Sequence, residues 1–461
     1  GLRVPRAAEG GRREERREQE GDRQEDRRNV IPSAAAGYPY PIKALFTNKG
    51  TVAFASPAGH KQIEMLADPK KVPLFIACDI VVGETSMYAD YIIPDVTYLE
   101  RWGVSHTSPD VVTKMSKVRQ PLIAPLTETV TVDGEVMPIG MDTFLIAVGK
   151  KLGLAGFGKD GLGEGWNLDR MEHYYLAMCT NLAFGDKEDG SETLPAASDE
   201  EMRIFRDAHA HLSKAVYDEA TWKAAVPAGL WSSVVYLLNR GGRFEAADAA
   251  YKGDKMHHQW HGQWNLYVEH VAEGKNSMTG ENFSGLPKVE PVLDAAGNEV
   301  KDSGYDLKLI TYKEVTGGQS RTRTAHWLGA VLPENFIWVN SLDAKELGLE
   351  TGDKARILSP TFSEPLKLAD GNEFDTVGTV KVMEGIRPGV VAASWSFGHF
   401  AYGCNDIEVD GETIKGDPRR ASGVVPNPAM RLDPVVGDVC LTDPIGGSAS
   451  FYDTQVKLVK I

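Results

Sequence analysis

The period of apolar and polar positions changes twice along the chain, and those changes divide it. Ile42-Lys43-Ala44-Leu45-Phe46-Thr47 reads as a strand that runs into Asn48-Lys49-Gly50. Gly59 to Ala67 has the spacing of a short helix, and Val72 to Cys78 is a second apolar strand closed by Asp79. Strand, helix and strand in this order predict a βαβ unit of parallel strands, whose ligand face lies beyond the carboxyl ends of the strands. Asn48 and Asp79 both stand at such ends. Glu84-Thr85 then opens a helical turn, and Tyr91-Ile92-Ile93 is a third strand stopped by Pro94.

From Gly140 to about Gly304 the pattern is mainly helical. Met141, Phe144, Leu145, Val148 and Leu152 predict one buried face at the 3.6 period, and Ser198 with Glu201 predicts a capping box. The loop-rich stretch Lys275 to Gly304 suggests a domain boundary at its end. Beyond it, strands are expected at Asp306–Tyr312, Phe336–Val339, Lys354–Leu358, Gly378–Met383, Val390–Ala393 and Gln455–Val459. A short helix, Asp343 to Leu347, should stop at Gly348, and many short strands between Gly and Pro imply a barrel or sandwich. The expected division is a charge-rich tail at 1–28, solvated or translated out of frame, a parallel-sheet domain at 29–139, a helical region at 140–304 and a β-rich domain at 305–461.

Composition narrows the function classes. The chain has 461 residues, 42% of them apolar, and no apolar run approaches the ~20 residues of a membrane helix. A formal net charge of −15 argues against a nucleic-acid partner and for a small molecule. Cys78, Cys179, Cys404 and Cys440 fit no C-x-x-C spacing and read as buried structural thiols. The first residues hold no apolar core of an export signal.

Candidate sites are individually weak. His257 and His261 are spaced for a metal on a helix, but no acid or thiol stands at ligand spacing, and a surface histidine cluster is the better reading. His209 and His211 would diverge. Asp79, Glu84, Thr85, Asp90 and Glu100 put acids and a hydroxyl around strand ends, suited to ribose and guanine. Thr311-Tyr312-Lys313 and Gln319-Ser320-Arg321-Thr322 after Gly317-Gly318 form a polar glycine turn that can wrap a pyrophosphate. Phe397-Gly398-His399-Phe400 and Asn427-Pro428 set polar groups beside rings, suited to a fused heterocycle.

Three ordered segments carry a resemblance. They are Asp79…Glu84-Thr85…Tyr88-Ala89-Asp90-Tyr91-Ile92-Ile93-Pro94…Glu100-Arg101-Trp102-Gly103, then Asn340-Ser341-Leu342-Asp343-Ala344…Leu347-Gly348-Leu349…Gly352-Asp353, then Gly385-Ile386-Arg387-Pro388-Gly389-Val390-Val391. Together they resemble the dimethyl sulfoxide reductase superfamily of molybdenum or tungsten enzymes. Residues 37–46, 275–280 and 416–420 are most similar to its tetrathionate, respiratory arsenate and polysulfide reductase branch.

The resemblance implies an α/β fold: a Rossmann-like parallel-sheet domain, a helical middle region and a C-terminal double-psi β-barrel. It implies an oxidoreductase with bis-molybdopterin guanine dinucleotide carrying molybdenum or tungsten, and a 4Fe-4S cluster in an N-terminal region. It further implies a small oxyanion substrate such as tetrathionate, an iron–sulfur electron-transfer subunit, a membrane anchor reached through it, and a place in the periplasm or on the outer face of the cytoplasmic membrane. Matched residue by residue, Thr311, Lys313, Gln319, Ser320, Thr322, His399 and Asn427 become contacts to one pterin dinucleotide, and Asn48, Asp79 and Thr85 to the other. Lys313 stands where many relatives carry Arg, a point charge in place of a planar fork. An anionic substrate needs a positive funnel, for which Arg321 and Arg323 are the candidates. In that family the cluster cysteines, half of the pterin contacts and the metal ligand come before the region matched here. The 461 residues are therefore expected to hold cofactor without ligating its metal, and to be inactive alone. A non-catalytic cofactor-binding or assembly module is the alternative.

Overall fold

The computed structural model of the chain describes residues 30–461 other than 39, 58, 106–111, 259–261, 277–278 and 368–372. The tail at 1–28, His261, and Ser277 and Met278 of the branch-specific stretch lie outside the described residues. The described residues form two compact units, 93–264 and 30–92 with 265–461. Among them no helix is long and apolar enough to cross a membrane.

Leu45–Asn48 (β1), His60–Leu66 (α1) and Phe75–Asp79 (β2) form the expected strand, helix and strand. The strands are parallel, with Leu45 opposite Phe75 and Asn48 opposite Cys78, and Tyr91–Pro94 (β3) follows β2 in the sheet. Phe54, Ile63, Leu66, Phe75 and Ala77 are buried in one cluster with Phe374, Phe400, Ala401 and Val425. The core of the N-terminal segment is thus completed by residues more than three hundred positions away in sequence.

In the unit 93–264, Gly103–Ser105 (β4), Met115–Arg119 (β5) and Gly242–Phe244 (β6) make an antiparallel sheet with β5 in the middle. The helices are Met141–Lys151 (α2), Met171–Phe184 (α3), Asp199–His209 (α4) and Trp231–Arg240 (α5), around Trp102, Leu176, Phe205, Trp222 and Leu237. The capping box forms: the Ser198 hydroxyl accepts from the Glu201 amide at 3.3 Å, and Glu201 accepts from the Ser198 amide at 2.8 Å. The expected inner face of α2 is a correction. Thr143, Ile146 and Gly149 are buried while Leu145 and Leu152 are exposed, because the Phe157 ring packs against Gly149 and turns that side inward.

The compact units part at 92/93 and 264/265 rather than at 139/140 and 304/305. Pairing of β5 with β6 joins residues before 139 to the helices. Ala295 donates to Asp433 at 2.8 Å and Arg431 pairs with Asp302 at 3.1 Å, which ties the loop-rich stretch to the C-terminal strands.

Those strands close into a six-stranded barrel. Leu307–Tyr312 (β7), Phe336–Asn340 (β8), Lys354–Leu358 (β9), Val377–Met383 (β10), Val390–Ser394 (β11) and Thr454–Lys460 (β12) pair in the order β7-β11-β8-β10-β9-β12. β7 with β11 and β8 with β10 are parallel, and the other pairs antiparallel. All six strands were legible as apolar runs between turns. Helix Ser341–Leu347 (α6) ends at Gly348, whose φ of 64° is the left-handed cap that glycine adopts without a Cβ penalty.

Leu309, Ile337, Val339, Ile357, Val380, Val391 and Val456 fill the barrel, and Gly378 on β10 packs closely against its neighbours. A Cβ there would stand 2.7 Å from Val424 Cγ1 and 3.0 Å from Ile337 Cγ1. Gly378→Ala should therefore cost about 1–3 kcal/mol in urea unfolding followed by tryptophan emission. Unchanged stability would show that the barrel interior has room to relax.

Candidate functional site

Polar side chains collect where β2, β7 and β11 end. Glu84 follows the turn after β2 and is fully buried. Its Oε1 accepts from His399 Nδ1 at 2.9 Å, from the Phe400 amide at 3.1 Å and from the Ala401 amide at 2.9 Å. Burial alone would raise the Glu84 carboxyl, but the His399 charge and Nδ1–H and the Ala401 amide outweigh it and hold the group below its ordinary 4.5.

The imidazole of His399 lies between two rings. Phe54 stacks on one face at 4.0 Å and 14°, and Tyr402 on the other at 4.9 Å and 22°. Protein rings thus occupy both faces of the imidazole, and the Nε2 edge is left. Burial and the nearby carboxylates Asp79 and Glu84 push the Tyr402 phenol up to about 12. Gly398 permits this loop to approach the next one. It has φ 71° and its amide donates to Ser422, and a Cβ there would stand 2.6 Å from the Val425 nitrogen.

The sequence-selected residues fall into three groups. Thr85, His399 and Asn427 converge on Ala53-Phe54: the Thr85 hydroxyl accepts from the Ala53 amide at 3.0 Å, and Asn427 Nδ2 donates to the Phe54 carbonyl at 2.8 Å. His399 and Asn427 thus meet across Phe54, as expected of a shared site, whereas the Thr85 hydroxyl already serves the backbone. Asn48 is exposed at the end of β1, and Asp79 is buried at the end of β2, where desolvation raises its carboxyl even though the Ile80 amide donates to it.

The third group runs from the last residues of β7 into the turn beyond it. Thr311 is buried, Lys313 and Gln319 are exposed, and Ser320 opens a 3-10 turn. The Thr322 hydroxyl accepts from the Gly318 amide and donates to the Gln319 carbonyl, so it closes its own turn. Gln319 has φ 67° and ψ −172°, a conformation nearly confined to glycine. Arg323 is a correction to the positive funnel. Its guanidinium donates to the Leu332, Pro333 and Arg419 carbonyls and to Ser422 Oγ, and sits 4.3 Å over the Phe397 ring. Arg321 is exposed and donates to the Gly318 carbonyl.

Sequence reading missed how Glu84 and Tyr402 bear on His399. Glu84 stands in the turn region after β2, which was the available signal. Nothing in sequence could pair it with position 399. The four cysteines are buried free thiols, as expected; burial raises Cys179 to about 12 and Cys404 to about 11. Among the described residues no group of three or more His, Cys, Asp or Glu converges as a metal requires.

A pterin dinucleotide can be tested against buried polar atoms that lack a partner. His399 Nε2, Asn427 Oδ1 and Thr311 Oγ1 are such atoms. Buried groups of this kind are nearly always hydrogen-bonded, so three that are not suit a polar heterocycle with donors and acceptors on its edge. The residues present fit the group.

Residues 307–418 match the family model described as Molydopterin dinucleotide binding domain. The chain belongs to the dimethyl sulfoxide reductase superfamily of molybdopterin oxidoreductases. It is 47% identical over 432 residues to a selenate reductase subunit of Mesobacillus selenatarsenatis, an alignment covering 93% of this chain and 41% of that protein. A tetrathionate reductase subunit of Salmonella typhimurium is 32% identical over 88% of this chain and 38% of its own length. The molybdopterin-containing subunit of the arsenate respiratory reductase of Shewanella sp. is 27% identical over 79% of this chain and 40% of its own length. The 461 residues of this superfamily member thus span about two fifths of the curated relatives they match.

The Glu84 pair carries a pH signature. A carboxyl depressed on folding adds stability that is complete above its ordinary 4.5 and is lost as pH falls through the lower folded value. Glu84→Gln should cost on the order of 3 kcal/mol at pH 7 and flatten the fall of unfolding free energy below pH 4.5. Parallel acid limbs for the variant and the unchanged chain, followed by chemical denaturation, would contradict this.

Proposed function

We propose that this chain is the cofactor-holding portion of a molybdopterin-dependent reductase whose substrate is an oxyanion of selenium, sulfur or arsenic. The observation that carries the reading is the set of partnerless buried atoms, His399 Nε2, Asn427 Oδ1 and Thr311 Oγ1, within the unit that holds the matched dinucleotide-binding domain. The group is bis-molybdopterin guanine dinucleotide, whose metal supplies two-electron redox chemistry at the oxyanion. His399 and Asn427 hold its ring edges, Thr311 and the Gln319–Thr322 turn lie toward its pyrophosphate, and exposed Lys313 offsets phosphate charge. Asn48 and Asp79 serve the second dinucleotide, as the superfamily pattern suggests. Thr85 acts there through the backbone of Ala53.

Identity favours selenate over tetrathionate, 47% against 32%, while both relatives support one substrate class. Electrons arrive through an iron–sulfur subunit with a membrane anchor behind it, at the periplasmic face, on the analogy of the superfamily alone. Cell fractionation tests the last point, and recovery of the protein from the cytosol would overturn it.

The protein purified from its own host should contain molybdenum or tungsten, release guanine nucleotide on acid hydrolysis, and oxidise reduced viologen dye with selenate, tetrathionate or arsenate. Residues 1–461 produced alone should oxidise no dye. Host-purified protein with neither metal nor guanine nucleotide would overturn the reading. Metal-loaded protein inactive on all three anions would overturn the substrate class.

A further inference from the structure

The ring of His399 has one hydrogen-bonding position left, and the residue that determines this is Glu84. Both faces of the imidazole are covered, by Phe54 and Tyr402, and its side chain has no exposed surface. Its Nδ1 edge faces Glu84 Oε1 at 2.9 Å, an oxygen that accepts only if Nδ1 carries a proton. The carboxylate cannot turn away easily, because the same oxygen also holds the Phe400 and Ala401 amides, the two residues after the histidine. Glu84 therefore fixes the ring orientation, the proton on Nδ1 and the local backbone together.

That leaves Nε2, buried and without a partner. Carboxylates behind a histidine act in this way in metal and catalytic sites, by setting which nitrogen is presented and how basic it is. The edge presented is Nε2, and its complement is a polar atom at hydrogen-bonding distance.

We propose that Glu84 is a positioning residue that presents His399 Nε2 to a polar atom of the bound molybdopterin dinucleotide. This rests on the function proposed above and adds to it a residue and an atom. The effect proposed for Glu84 passes through His399, which its Oε1 holds at Nδ1.

Histidine variants separate the two edges. His399→Asn keeps a side-chain amide near the Nδ1 position and loses Nε2, whereas His399→Gln reaches toward the Nε2 position. In protein purified with its cofactor from its own host, the probe is release of guanine dinucleotide over time, with thermal midpoint as the folding control. His399→Asn should release it about tenfold faster, equivalent to about 1.4 kcal/mol, with a midpoint close to that of the unchanged protein. His399→Gln should restore part of the retention. Glu84→Gln should also speed release, and in a His399→Asn background it should add little further, because the two residues act on one contact.

Release from His399→Asn at the unchanged rate would overturn the Nε2 contact. Additive effects of the two substitutions would overturn the positioning role of Glu84. If Glu84→Gln does not fold, the two histidine variants still decide whether Nε2 is used. Unchanged protein that carries no guanine dinucleotide overturns the function itself, an outcome distinct from loaded protein with indifferent variants.

Discussion

A carboxylate with no exposed surface depends on the chain that buries it, and Glu84 Oε1 takes three donors from residues 315 to 317 positions further on while Oε2 is buried without a partner. That pairing constrains more than one side chain. It joins the turn after β2 to the loop after β11, so the parallel-strand segment and the barrel share one buried polar centre as well as one apolar cluster. Neither segment alone offers both the acid and its three donors. Removing one partner of such a pair leaves charge or amides unmet at about 3–5 kcal/mol, a large part of the stability of an ordinary domain.

The apolar surroundings give the pair its chemical character. Phe54 ties the site together from two sides: its ring lies on His399 and its carbonyl takes the Asn427 amide. Rings on both faces exclude water from the imidazole and leave its Nε2 buried without a protein partner. Asn427 shows the same economy, with one end of its amide fixed by backbone and the other left over. A site in which each polar group is half satisfied by protein is preorganised for a ligand that supplies the other half.

How much of this was legible in sequence depended on the range of the interaction. The six barrel strands, the helix stopped by Gly348 and the Ser198–Glu201 capping box are local, written in residues a few positions apart, and they form where expected. The inner face of α2 was misread because Phe157, from beyond the helix, decides which side is covered. The division into units was misjudged for a similar reason, since β5 finds β6 across more than a hundred residues. His399 and Asn427 were selected by resemblance, and in the fold both contact Phe54. Thr85, Thr322 and Arg323 look like ligand groups in sequence, yet in the fold their donors and acceptors serve the backbone and neighbouring hydroxyls. Only tertiary structure separates a hydroxyl that closes a turn from one that waits for a ligand.

If the Glu84 centre joins the parallel-strand segment to the barrel, the amides it holds must open only when that junction opens. Native-state hydrogen exchange at the Phe400 and Ala401 amides tests this directly. The account predicts that both exchange with the same opening free energy as the β1 and β2 amides, and that Glu84→Gln lowers all of them together. Fast exchange at Phe400 and Ala401 while β1 and β2 stay protected would show that the loop is held by something else and that the Glu84 pairing does not organise the site.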